Sequence, residues 1–320
     1  MVIRPEELFK NGKRDPVRDR LIKRKGANIF YRFRPSVDKR LSIAFQGGYS
    51  THPAAWMGQI KRFRGEISIL TMENRGHWHS GIGNSNPKTY LKDMAEDFLA
   101  IMDLEKIDKI TICGHSMWGG NAMRFYHMFP NRVEGLVLVS PAYIDPRKQG
   151  FLKNYWYLHP LTDLLAWASA GLGPLNGFKS RVLAENRASW EIMRSALLMT
   201  YMREAEDPEH ALKMIKNVYR ADIRAMSMSM RALLLMDDEL YERAGEIKVP
   251  VHLIAGTDDM LISPESTLDL AKEIPGAITS LFQESAHFSM LSKTECFNNV
   301  IESFMRRLNI SQGNSPSPMS

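Results

Sequence analysis

The chain has 320 residues, 44% of them apolar and 24% charged, an ordinary globular composition that suffices for one large domain or for a core with an inserted subdomain. It holds no run of 18 apolar residues, and its start, "MVIRPEELFKNGKRD", lacks the apolar centre of a secretory signal, so neither a membrane-spanning helix nor a signal peptide is expected. The net charge of +6 is uneven: residues 1–40 carry 13 Lys and Arg against 5 Asp and Glu, which leaves the remaining 280 residues close to neutral.

The basic stretch is read as a solvated extension over residues 1–24, suited at most to weak contact with an anionic membrane surface. Nucleic acid is not an expected partner of the nearly neutral body, and neither a P-loop nor a dinucleotide fingerprint marks a nucleotide site. Cys113 and Cys296 are read as reduced thiols of a cytoplasmic protein, too few for a zinc site of their own.

From residue 25 onward, short β-branched runs alternate with helical patterns. The strands are expected at "NIFYRF", "LSIAF", "ISILTM", "KITIC", "GLVLVS", "VPVHLIAG" and "AITSLFQ". Between the third and fourth, "TYLKDMAEDFLAIMDL" is an amphipathic helix, with Leu91, Met94, Phe98 and Ile101 at steps of three and four. Further helices are expected over 117–129, 264–274 and 296–308. Such alternation specifies an α/β fold, a mostly parallel sheet with helices on both faces. The alternation lapses over residues 146–240, which read as an inserted helical cap rich in methionine, including Met226, Met228 and Met230. The core is thus 25–145 plus 241–310, and 311–320 reads as a disordered tail.

The chemistry is expected at "KITICGHSMWGG". An apolar strand runs into Gly114 and Ser116 and then into a helix, the setting in which a G-x-S turn lifts a serine oxygen clear of the backbone. The next amide, on Met117, opens that helix and is placed to stabilise an oxyanion. A second donor is expected from "QGGYS" after an early strand, with the Gly48 amide as candidate. A serine nucleophile needs a base and an orienting acid. His287 follows the last strand, and Asp259 follows the one before it, in the order Ser116, Asp259, His287 that this architecture uses. Asp258 is the adjacent rival for the acid, and Asp145 a more distant one. Tyr49, Trp118, Trp156 and Met228 are candidate pocket residues. "HWH" at 77–79 resembles half a metal site, but a third ligand at suitable spacing is missing, so neither metal nor cofactor is expected.

Five stretches, "QGG", "RGHWHS", "GHSMWGG", "GTDD" and "AHF", resemble in order the oxyanion loop, the R-G-H-G-x-S segment, the serine elbow, the acid loop and the base loop of the α/β-hydrolase superfamily. The resemblance covers roughly residues 25–145 and 245–308. It implies a carboxylesterase-like enzyme that cleaves an ester or related acyl bond in a small molecule through an acyl-enzyme. A lactonase, a carbon–carbon bond hydrolase, a cofactor-free haloperoxidase and a non-catalytic relative remain alternatives on the same scaffold. Gln46 and Ala286 depart mildly from the family pattern, replacing a histidine and a glycine. Trp78 and Trp118 depart more sharply, each standing where a glycine is usual. At 118 an indole is expected to overpack the junction of strand and helix, so Trp118→Gly is expected to preserve or raise activity and stability.

Overall fold

The computed structural model describes residues 17–36, 41–149 and 223–311. Trp156, residues 1–16, most of the expected cap and residues 312–320 lie outside them.

Among the described residues, eight strands form one sheet in the order β1-β2-β4-β3-β5-β6-β7-β8. They are β1 (Arg18–Arg24), β2 (Ala27–Arg34), β3 (Ser42–Gln46), β4 (Ser68–Met72), β5 (Ile110–His115), β6 (Val133–Val139), β7 (Val251–Gly256) and β8 (Ile278–Phe282). β1 and β2 form an antiparallel hairpin, and β2 meets β4 antiparallel. Every pairing from β4 through β8 is parallel. All seven strands expected from sequence are present.

β1 is the addition: residues 18–24, read from sequence as part of a solvated extension, form a strand. Its sequence, "RDRLIKR", is dominated by charge, and most of its residues are exposed. It is an edge strand, and charge on an edge discourages pairing with other chains. The turn closing the hairpin, Lys25–Gly26, has φ of 42° and 76°. Two positive φ values match the twist of a two-residue hairpin, and glycine takes the second of them without strain.

The central strands are buried along their whole length, and their side chains alternate between two cores. Ala44, Leu70, Ile112, Leu136, Leu138 and Leu253 face one core. Helices α2 (Tyr90–Leu104) and α3 (Met117–Met128) cover that face. Leu91, Met94, Phe98 and Ile101 of α2 are all buried there, as their spacing requires. Ile43, Phe45, Ile69, Cys113, Val137, Val139 and Ile254 face the other core, under α1 (Met57–Phe63) and the final helix. Cys113 is buried and Cys296 exposed, both as free thiols.

Further along the chain come α4 (Pro146–Gln149), α5 (Ile223–Leu234), α6 (Glu239–Glu242), α7 (Pro264–Glu273), α8 (Ser289–Ser292) and α9 (Thr294–Ser311). Of the region expected as a cap, residues 146–149 and 223–240 are described, and α5 is the longest element in them. It lies over the loop after β4, with Ala225 against Gly76. α7 starts with Ser263 capping the Ser266 amide and Pro264 in its first turn.

Candidate active site

The loops that leave the C-terminal ends of β3, β5, β7 and β8 carry Gly48, Ser116, Asp259 and His287 respectively. Ligands and chemistry gather at this end of a parallel sheet.

Ser116 sits between β5 and α3 with φ 53° and ψ −117°. A non-glycine residue is held in that region only when its surroundings over-determine it. Here the Ser116 amide donates to the Val139 carbonyl at 2.9 Å, and its carbonyl accepts from the amides of Gly119 and Ala142 at 2.8 and 2.9 Å. The turn is therefore stitched to the end of β6 from both sides. Met117 is the first residue of α3, so its amide belongs to the first turn, whose N–H groups have no acceptor within the helix.

Gly48 lies directly against the serine. A methyl group built on it would come within 2.6 Å of Ser116 Cβ and 3.1 Å of Ser116 Oγ. Only glycine lets this backbone approach so closely. The loop is tethered upstream as well. With its amide oriented to satisfy both partners, Gln46 donates to the Met72 carbonyl and accepts from the Met72 amide, each at 3.2 Å. Glutamine in place of the family's histidine thus locks the end of β3 to the end of β4.

His287 is buried, and its Nδ1 lies 2.8 Å from Asp259 Oδ2. The other carboxylate oxygen of Asp259 accepts the amides of Leu261 and Ile262 at 2.9 and 3.0 Å. Burial pushes the Asp259 carboxyl up, but the adjacent imidazole and the hydrogen bonds from His287 and the Ile262 amide outweigh it and hold the group below the ordinary carboxylate range. Asp258 points to solvent and accepts from the Thr257 hydroxyl at 3.1 Å. Of the three aspartates weighed from sequence, Asp259 is the one bonded to the imidazole.

His115, between Gly114 and Ser116 at the elbow, has a specific task. Its Nε2 lies 2.8 Å from the His287 carbonyl oxygen, and its ring centroid is 4.5 Å from that of His287. Burial, reinforced by the neighbouring His287, pulls its pKa well below the usual histidine value. A neutral ring with the proton on Nε2 donates to that carbonyl. The residue before the serine thereby fastens the loop that carries the base.

Trp118 is not an intruder at the junction. It is fully buried in the core under α2 and α3, edge-on to Phe98 with centroids 5.5 Å apart. Its Nε1–H donates to Asn74 Oδ1 at 2.7 Å. The close approach expected of a glycine at 118 falls on the next two residues instead. A methyl on Gly120 would lie 1.8 Å from the Ala142 carbonyl oxygen, and one on Gly119 would lie 2.7 Å from Pro141 Cα. This corrects both the expected overpacking and the placement of Trp118 among pocket residues.

Trp78 differs. It has φ 49°, a conformation that favours glycine, and its half-buried ring stands edge-on to His52 at 4.7 Å. The flanking histidines of "HWH" have partners within the loop: His77 Nδ1 lies 2.9 Å from the Arg75 carbonyl oxygen, and His79 Nδ1 lies 3.0 Å from Glu73 Oε1. Arg75 itself makes a buried two-point ion pair with Asp97 of α2, at 2.6 and 2.8 Å. Tyr49 and Met228 are both partly buried against the core under α2 and α3. Burial raises the Tyr49 phenol above its ordinary pKa.

Comparison with known proteins agrees with this architecture. The model of the α/β-hydrolase fold family matches residues 45–294, and the chain belongs to that family. An uncharacterized protein of Mycobacterium tuberculosis is 24% identical over 268 residues, covering 81% of this chain and 73% of the relative. The 3-oxoadipate enol-lactonase 2 of Acinetobacter baylyi is 21% identical over 274 residues, covering 84% and 90%. Among solved structures, the enol-lactonase of Burkholderia xenovorans superposes with a TM-score of 0.72 at 20% identity, covering 89% of this chain and 99% of that one. The esterase EaEST of Exiguobacterium antarcticum gives 0.71 at 20% identity, covering 89% and 98%. At these identities the structural likeness speaks for the fold. Among the described residues, no helix is long and apolar enough to cross a membrane.

Proposed function

We propose that the protein is a serine hydrolase that cleaves a carboxylic ester, or a related acyl bond, through a covalent acyl-enzyme. The observation that carries this reading is the buried Asp259–His287 pair at 2.8 Å, at the same end of the sheet as a serine held at positive φ between strand and helix.

In this mechanism Ser116 Oγ attacks the substrate carbonyl carbon while its proton passes to His287 Nε2. Asp259 keeps the Nδ1 proton in place, which fixes the tautomer and stabilises the imidazolium that forms. The amides of Met117 and Gly48 donate to the negative oxygen of the tetrahedral intermediate. Collapse breaks the acyl–oxygen bond, and His287 returns the proton to the departing alkoxide. Water then repeats the sequence on the acyl-enzyme, releasing the acid and restoring Ser116. The chemistry requires no cofactor. Tyr49 and Met228, half-buried beside the core, suit an apolar acyl group.

Two of the similar proteins are named as enol-lactonases. A cyclic ester is therefore the second substrate class to test, cleaved by the same steps with the leaving alcohol still attached to the acid. The test is turnover of p-nitrophenyl esters of graded chain length and of a lactone panel, for the wild type and for Ser116→Ala. Loss of turnover by about 10³-fold or more in the variant supports the mechanism. Undiminished turnover overturns it.

A further inference from the structure

We infer that Trp118 and Asn74 form a positioning pair that sets the direction of the oxyanion-loop amides, an inference that rests on the acyl-transfer reading above. The indole Nε1–H of Trp118 donates to Asn74 Oδ1 at 2.7 Å. That bond decides which way the Asn74 amide faces. Its Nδ2 is consequently turned toward the loop after β3, where it donates to the Gly48 carbonyl at 3.2 Å and approaches the Gly47 carbonyl at 3.5 Å. In a trans peptide the N–H points opposite to the C=O of the same plane. Holding the Gly47 carbonyl toward Asn74 directs the Gly48 N–H the other way, and holding the Gly48 carbonyl does the same for the Tyr49 N–H.

Burial gives the arrangement its strength. Trp118 is 0% exposed and Asn74 is 2% exposed. With water excluded, a donor or acceptor that loses its partner there has no substitute. The relay thus runs from the first turn of α3, which also carries the Met117 amide, through the loop after β4 to Gly48. It couples the two candidate oxyanion donors through one rigid path. Glycine at 118 has no atom with which to reach Asn74, so the tryptophan supplies an anchor that the usual residue lacks.

The test uses the full-length protein with Trp118→Phe and Asn74→Ala. Phenylalanine keeps most of the ring and removes only the N–H. Phe98→Leu serves as a control, because it disturbs packing on the same indole without touching the hydrogen bond. Two readouts are taken: steady-state hydrolysis of the best ester, and hydrogen–deuterium exchange of the segment spanning residues 44–51. Both relay variants are expected to lose about 10-fold in kcat with KM unchanged, less than the 10²–10³ that follows outright loss of an oxyanion donor. Amide exchange across 47–51 is expected to rise roughly fivefold or more in both. The double variant is expected to be no worse than the poorer single one, because either change breaks the same relay. Phe98→Leu is expected to lower Tm and leave both readouts at wild-type values.

Exchange and kcat in the relay variants that match wild type, or that move equally in Phe98→Leu, would overturn the inference while leaving the role of Ser116 intact. A Ser116→Ala protein with full turnover would instead sink the acyl-transfer reading, and the exchange measurement alone would then decide whether the relay holds the loop.

Discussion

Trp118→Gly separates the structural account of this residue from the expectation raised by its sequence neighbours. Reading the elbow against its family, a glycine at 118 should relieve crowding. The structure predicts the reverse. Truncating a fully buried tryptophan costs about 3–5 kcal/mol in transfer and cavity terms. Glycine in the first turn of α3 adds up to about 1 kcal/mol. The Asn74 carbonyl oxygen, deprived of its 2.7 Å partner in a dry site, adds about 1–3 kcal/mol more. The total, about 4–9 kcal/mol, is comparable with the whole stability of a typical domain, about 5–15 kcal/mol. At about 2–4 °C per kcal/mol for a domain of this size, Tm should fall by at least about 8 °C, and soluble yield should fall with it. Differential scanning fluorimetry on the purified variant is the assay. A Tm equal to or above that of the wild type would refute the assignment of Trp118 to the core.

Trp78→Gly should behave oppositely: relief of a strained φ of 49° and loss of the ring contact with His52 offset one another, and Tm should stay within about 3 °C of the wild type. His115→Phe removes the bond to the His287 carbonyl, and kcat is expected to drop about 10-fold with KM unchanged, a split read from steady-state kinetics. His252, on β7 with its Nε2 2.9 Å from Ser280 Oγ, is pulled down to about 4, by burial first and by Arg307 second. Because an unfolded histidine takes its proton near pH 6.5, the contribution of His252 is fully present above that pH and is lost as pH falls toward 4. Denaturant titrations between pH 7 and 4 should therefore show a shallower loss of stability in His252→Gln than in the wild type, and equal slopes would count against the reasoning.

The sheet was legible because its central strands are continuous apolar runs, and α2 because its buried stripe repeats at helical spacing. β1 was not, since "RDRLIKR" has the composition of a solvated segment and gains strand structure only by pairing with β2. Position in the strand order sufficed to bring Asp259 and His287 together, and the local pattern G-x-S sufficed for the turn at Ser116. Asn74 and His115 were opaque for a different reason: each acts through a contact between residues far apart in sequence, 44 positions for Asn74 to Trp118 and 172 for His115 to His287. A polar residue beside the end of a core strand needs a partner when buried, which was the one available signal, but its identity lies in the tertiary structure. Trp118 was misjudged because a family comparison supplies the usual residue and not the direction in which an unusual one points. Gly119 and Gly120 already provide the close approach to the segment that follows β6, which frees position 118 to face the core.

Covalent labelling tests the central claim most directly. Incubating the native protein with a fluorophosphonate and mapping the adduct by peptide mass spectrometry should give one modified residue, Ser116, with labelling abolished in Ser116→Ala and slowed by about 10³-fold or more in His287→Ala. Full-rate labelling of Ser116→Ala, or an adduct at any other residue of the wild type, would contradict the account.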